Sequence, residues 1–277
     1  MRKLSLGISP CPNDTFIFEG LIHQKFNDEF KFNPVLLDVE QLNQMAFKRQ
    51  LDITKVSAHA GFYLLGDYKI LSSGGAMGRN CGPLLLSKTT KMPKSGKIAL
   101  PGEYTTASLL FKLAVPGDFE PVYMPFNQII DAICQDKVTA GVIIHESRFT
   151  YSSHHLVSLL DLGQWWENQT GCLIPLGIIL IDGQLDRSVH NKIEELIRQS
   201  ILYAEQNKAL VWDYIKMNAQ ELDDAVIQSH IDLYVNEYSK QLGQEGKDAL
   251  FNLYEMCVSR GILPGNGKLT QDAVFVN

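Results

Sequence analysis

The sequence predicts an α/β protein of two similar lobes, each a doubly wound sheet, joined by two extended crossings. Three observations carry this expectation. Strand-like and helix-like segments alternate as β-α-β-α-β, the pattern of a parallel sheet covered by helices. The same order recurs at an offset of roughly 85 residues, well above a solenoid period. A chain of 277 residues, 45% hydrophobic and 20% charged, is long for one core and comfortable for two.

The elements follow in order. Leu4 to Ile8 reads as a buried strand, and the loop Ser9 to Asp14 leads into a helix through Phe18 and Ile22, with Asp14 as its expected cap. Pro34 to Val39 reads as a second strand, Asn43 to Arg49 as a helix and Ile53 to Ser57 as a third strand. The repeat begins with a strand at Lys97 to Leu100. The loop Pro101 to Thr106 then opens a helix carrying Leu109, Leu110 and Leu113. A strand from Pro121 to Met124, a helix from Asn127 to Gln135 and a strand from Gly141 to Ile144 complete it. Pro34-Val35 matches Pro121-Val122, and Asn43-Gln44 matches Asn127-Gln128.

Gly82 to Ser87 and Ile174 to Ile181 are the expected crossings, which together make a hinge. Residues 1–88 with 181–277 are assigned to lobe I and 89–180 to lobe II. After the second crossing the chain is helical. Ile193, Leu196, Ile197, Ile201 and Leu202 share one face, as do Leu250, Leu253, Tyr254 and Cys257, with Gly261 as a stop. Both faces are expected against lobe I.

Composition excludes several functions. A net charge of −6 argues against a general nucleic-acid binder, although a local basic pocket for one small anion is compatible with it. The basic start Met1-Arg2-Lys3 precedes an apolar run too short for a signal peptide and ended by Pro10. No run approaches a membrane span. Five isolated cysteines, at 11, 81, 134, 172 and 257, suit reduced thiols in the cytosol rather than disulfides or a zinc site. A cytoplasmic location is the expectation.

Ligands of open parallel sheets bind beyond the carboxyl ends of the strands. The loops Ser9 to Asp14, Ser57 to Gly61, Pro101 to Ala107 and the segment from His145 onward meet that condition. Facing lobes would bring all four to one cleft. Thr105-Thr106-Ala107 opens a helix, whose free amides suit a carboxylate, although a simple cap explains the threonines equally well. Lys55 is unusual on a buried strand, unless it sits on a solvated edge. His145 ends the apolar strand and is the natural general base, against the alternative of a structural histidine.

Other features are weaker. Gly74-Gly75-Ala76-Met77-Gly78-Arg79 matches neither a P-loop nor a dinucleotide fingerprint; it reads as an anion loop or a plain turn. Ser57 and Ser147 lack a GxSxG context. His154-His155 lacks a third spaced ligand, and Cys11 reads as packing.

Taken in order, Ser9-Pro10-Cys11-Pro12-Asn13-Asp14-Thr15-Phe16, Lys55-Val56-Ser57, Gly74 to Arg79, Thr105-Thr106-Ala107 and Ile144-His145-Glu146 resemble the 1,4-dihydroxy-6-naphthoate synthases of the futalosine route to menaquinone. The similarity runs to about Gly183, and the first string is its most specific part. The resemblance implies a periplasmic-binding-protein-like (type II) fold and a small carboxylate substrate. It implies the conversion of cyclic dehypoxanthinyl futalosine to 1,4-dihydroxy-6-naphthoate without metal or organic cofactor. It implies His145 as proton acceptor, Lys55, Val56, Ser57, Thr106 and Ala107 as substrate-binding residues, and Asp14 and Asn43 as further cleft residues. Two rivals remain at this level: a chorismate dehydratase of the same pathway, and a non-catalytic binding protein for a small carboxylate.

Overall fold

Why the chain forms two sheets is visible in strand pairing. The structure, a computed structural model, describes residues 1–26, 28–220, 222–264 and 274–276. The first sheet is built by β1 (Arg2–Ile8), β2 (Phe30–Leu36), β3 (Ile53–Ser57), β4 (Tyr68–Gly78) and β10 (Ile174–Asp182), in the order β2-β1-β3-β10-β4. The second contains β5 (Leu84–Ser87), β6 (Ser95–Leu100), β7 (Asp118–Tyr123), β8 (Ala140–Ile143) and β9 (Val157–Asp161), in the order β7-β6-β8-β5-β9. The two orders are the same order. In each, the first three strands run parallel and the fourth runs antiparallel to both its neighbours. The sheets are therefore mixed, with the doubly wound plan kept.

The fourth strand is the one that has crossed over. β5 follows β4 yet pairs in the second sheet, and β10 follows β9 yet pairs in the first. Strand pairing thus separates the lobes near residues 79–83 and 171–173, rather than at 88 and 180. Each crossing strand is mostly apolar along its paired stretch and needs partners on both edges, so it joins the sheet it enters; Leu84, Leu85 and Leu86 register against β8 on one side and β9 on the other.

The helices of the first lobe are α1 (Pro12–Ile22), α2 (Val39–Phe47) and α3 (Ala58–Leu64). Pro12 stands at the first helical position, where its missing N–H costs nothing. Cys11 is the N-cap, without a side-chain cap bond, so the expected capping by Asp14 does not occur: its carboxylate is taken by other partners. The second strand ends at Leu36, earlier than expected, because Asp38 starts α2 with a reciprocal capping box with Gln41. Pro34 is tolerated because β2 is an edge strand. The segment after Ser57 is α3 rather than a loop, and Gly74 to Gly78 is the end of β4 rather than a turn. Gly74 has φ +84, and a Cβ there would meet Ile179 and Phe18.

The second lobe adds α4 (Thr106–Ala114), α5 (Ile129–Cys134), α6 (Ser147–Thr150) and α7 (Leu162–Thr170). The chain closes with α8 (Arg187–Gln206), α9 (Lys208–Asn218), α10 (Asp224–Tyr234), α11 (Glu237–Lys240) and α12 (Gly243–Ser259). Ile193, Leu196, Ile197 and Ile201 of α8 join Leu6, Ile53 and Ile179 in the core of the first lobe, while Leu202, one position past Ile201 on the helix, turns to the surface. Leu250, Leu253 and Cys257 of α12 share a core with Ile178 and Leu180, on the strand β10. No helix among the described residues is long and apolar enough to cross a membrane.

Candidate active site

A cavity between the lobes encloses about 640 Å³, its open mouth included. Its floor comes from the first lobe. Lys55 is buried on β3, and its Nζ lies 2.6 Å from Asp14 Oδ1. Burying an ammonium is tolerable only with such a partner. The other carboxylate oxygen accepts from Ser9 Oγ at 2.8 Å and the Ser9 amide at 3.1 Å, while Asn13 Nδ2 donates to Asp14 Oδ1 at 2.9 Å. Gly177 of β10 leaves room for the lysine stem, since a Cβ there would lie 2.7 Å from Lys55 Cε.

Ser57 ends β3 and faces the cleft. Asn43 stands behind it rather than on the wall: Asn43 Oδ1 accepts from the Ser57 amide at 2.9 Å, and Asn43 Nδ2 donates to Ser57 Oγ at 3.3 Å. The side chain of Val56 does not line the cleft; strand alternation turns it into the core. Of the three consecutive residues, Lys55 and Ser57 thus share the ligand-facing side and Val56 the opposite one.

The roof is the start of α4. Thr105 is the N-cap, its hydroxyl accepting from the Ser108 amide at 3.2 Å. Thr106 and Ala107, the first two helical residues, line the cleft. Amides at these positions have no acceptor within a helix. The Thr106 hydroxyl donates to the Leu176 carbonyl at 2.8 Å and accepts from the His59 amide at 3.4 Å, bridging the lobes. Glu40 adds a second bridge, its Oε2 accepting from the Tyr104 amide at 3.2 Å; burial pushes its carboxyl above the usual range. Gly102, φ +151, lies where a Cβ would strike Glu40 at 2.5 Å, so this close approach requires glycine.

His145 follows β8 and adopts a left-handed backbone, φ +57. Its ring packs edge-on to Phe126 at 4.7 Å and nearly parallel to His230 at 6.2 Å. Its Nε2 is out of solvent contact and has no hydrogen-bond partner among the described residues. Burial lowers its pKa to about 4; the Asp14 carboxylate opposes this and the Lys55 ammonium adds to it. At neutral pH the ring is uncharged and offers a lone pair.

Sequence reading missed His230 and Tyr234, which reach the cleft from α10, and Cys81 and Pro83 on the first crossing. The signal was present in α10: His230 occupies an otherwise apolar buried face with Ile227, Ile231 and Tyr234. Arg79 lies elsewhere, paired with Glu245 at 3.1 Å. Cys11, His145 and Glu146 bring one ligand atom each within 4.8 Å of one another. Burial raises the Cys11 thiol well above its ordinary value.

Two lobes of identical strand order, each receiving its fourth strand from the other and closing on a cleft between them, define a periplasmic-binding-protein-like protein. The alkanesulfonate-binding protein from Xanthomonas axonopodis pv. citri superposes with a TM-score of 0.74 at 15% identity, over 100% of this chain and 96% of its own. The ligand-binding component of an ABC-type import system from Staphylococcus aureus gives 0.72 at 11% identity, over 99% and 96%. A protein from Archaeoglobus fulgidus is far nearer, with a TM-score of 0.90, 36% identity, and coverage of 94% and 98%. Residues 4–259 match the family model described as menaquinone biosynthesis, and the chain belongs to that family. Relatives named 1,4-dihydroxy-6-naphthoate synthase occur in Thermus thermophilus, at 42% identity over 263 residues, and in Streptomyces coelicolor, at 39% over 270; each alignment spans 95% of this chain and 96% of the relative.

Proposed function

We propose that this protein is a lyase that converts cyclic dehypoxanthinyl futalosine to 1,4-dihydroxy-6-naphthoate, with His145 as general base. The observation that carries the reading is a neutral imidazole, its Nε2 buried and unpartnered, on the same cleft as the open amides of Thr106 and Ala107. The names of the Thermus and Streptomyces relatives support the product.

The substrate is a carboxylated ring fused to a spiro sugar. Its carboxylate docks at the start of α4, where two amides and the positive end of the helix dipole favour an anion. Lys55 and Ser57 hold the substrate from the opposite wall. His145 removes a proton, the carbon–carbon bond to the sugar breaks, and the ring becomes aromatic. Aromatisation supplies much of the driving force, and general-base help contributes typically ~10²–10⁴-fold. Closure of the lobes orients the substrate and excludes water.

The test is direct. Purified protein is incubated separately with cyclic dehypoxanthinyl futalosine and with chorismate. Formation of 1,4-dihydroxy-6-naphthoate from the first is expected. Dehydration of chorismate alone would overturn the reading in favour of the sister enzyme, and binding without turnover would favour a solute-binding role.

A further inference from the structure

His230 has an assignable tautomer. Asn13 cannot flip its amide without facing an oxygen to Asp14, because Asn13 Nδ2 donates to Asp14 Oδ1 at 2.9 Å. Asn13 Oδ1 therefore points to His230 Nε2, 3.0 Å away, and that nitrogen must carry the hydrogen. His230 Nδ1 is left as a bare lone pair, buried and without a hydrogen-bond partner among the described residues. The ring is completely enclosed, with Tyr234 at 4.6 Å, Phe149 at 6.4 Å and the Glu146 carboxylate 4.0 Å from Nδ1. One face lies nearly parallel to His145, at an interplanar angle of 19°.

We propose that His230 is a positioning residue for His145: a tautomer-locked ring, tied through Asn13 to the Asp14–Lys55 pair, that holds the reacting imidazole at its angle beside the cleft. The inference rests on the proposed role of His145 and adds a residue that no sequence motif indicated. Its physical basis is the position of His145. That residue stands on a left-handed backbone between β8 and α6, and its unpartnered Nε2 makes no tether of its own. Ring contacts from Phe126 and His230 therefore set its angle. The chain Lys55–Asp14–Asn13–His230 connects the floor of the cleft to that angle through three successive polar contacts. All four residues are buried, so water does not compete for the bonds.

Two variants separate the parts. His230→Gln places an amide donor near the position of Nε2 and removes the ring; His230→Phe keeps a ring and removes the donor. Each is expected to lower kcat by ~10–100-fold with little change in KM, as misplacement of a reacting group does. In His230→Gln, the Nε2 side of His145 is opened to water, and its protonation, followed by NMR of ¹⁵N-labelled histidine, moves from about 4 toward its ordinary 6.5. The acid limb of kcat/KM moves the same way.

A merely structural residue would lower thermal stability without moving that titration. Unchanged kcat and an unchanged His145 titration in both variants overturn the proposal. Should both variants fail to fold, the wild-type spectrum decides: a hydrogen on Nδ1 of His230 breaks the link to Asn13 and ends the idea. The NMR readouts need no turnover. Absence of naphthoate formation by the wild type would therefore remove the proposed function while leaving the positioning of His145 to be read separately.

Discussion

Lys55 and Asp14 form an ion pair of 2.6 Å beneath the cleft, with side chains 5% and 1% exposed. The two residues stand 41 positions apart in sequence and come from the third strand and the first helix. The carboxylate is held by Ser9, Asn13 and Lys55 together, so the pair is also the anchor of the network that reaches His230.

Removing the cation leaves a carboxylate in a buried site. Lys55→Met is expected to destabilise the protein by about 3–5 kcal/mol, the usual cost of orphaning a buried charge. The double variant Asp14→Asn/Lys55→Met should regain part of that loss. Urea denaturation of the three proteins checks it; equal midpoints for Lys55→Met and wild type would mean that the pair contributes nothing.

His145→Asn removes the proposed base and keeps a small polar group. Turnover should fall by ~10²–10⁴-fold. Substrate affinity measured by calorimetry should stay within a few-fold, because the carboxylate contacts at Thr106 and Ala107 are untouched. Full turnover in this variant would exclude His145 from the chemistry.

The lobes are latched by Glu40 against the Tyr104 amide and by Thr106 against Leu176. Glu40→Ala deletes the first latch. Small-angle scattering of the ligand-free protein should then show a larger radius of gyration, and KM should rise. Scattering curves that superpose on those of the wild type would assign closure to other contacts.

Stability should fall in acid through histidines buried in the neutral form. His59 and His145 are lowered from 6.5 to about 4, each chiefly by burial, and His230 is lowered well below its ordinary value for the same reason. The unfolded chain therefore takes up these protons more readily than the folded one. Their contribution is fully present above pH 6.5 and is lost progressively as the pH falls toward 4. Each histidine changes stability by about 1.4 kcal/mol per pH unit within its window. Thermal melts between pH 7 and 4 test this, and His59→Asn should flatten the slope. A melting temperature independent of pH over that range would contradict the burial of these rings.

Much of the architecture was legible because hydrophobic period is a local property. The β-α-β-α-β order and its recurrence followed from runs such as Leu4 to Ile8, Ile53 to Ser57 and Gly141 to Ile144. Capping chemistry was only partly legible. Thr105 caps α4 as its residue type suggests, whereas Asp14, an equally good cap by type, is drawn away by Lys55. Strand Gly74 to Gly78 was obscured because glycine signals a turn locally, while here it makes room for Ile179 and Phe18.

By itself the sequence determined the alternation of elements, the doubling of the lobe and the family, because each depends on side chains in local order. The tertiary structure decided which sheet each crossing strand joins, since edge pairing is settled between segments far apart in the chain. It also decided that Val56 faces the core, that Asn43 supports Ser57 from behind, and that His230 lies against His145. Strand pleat and helix docking set those directions, and they exist only once the lobes have packed.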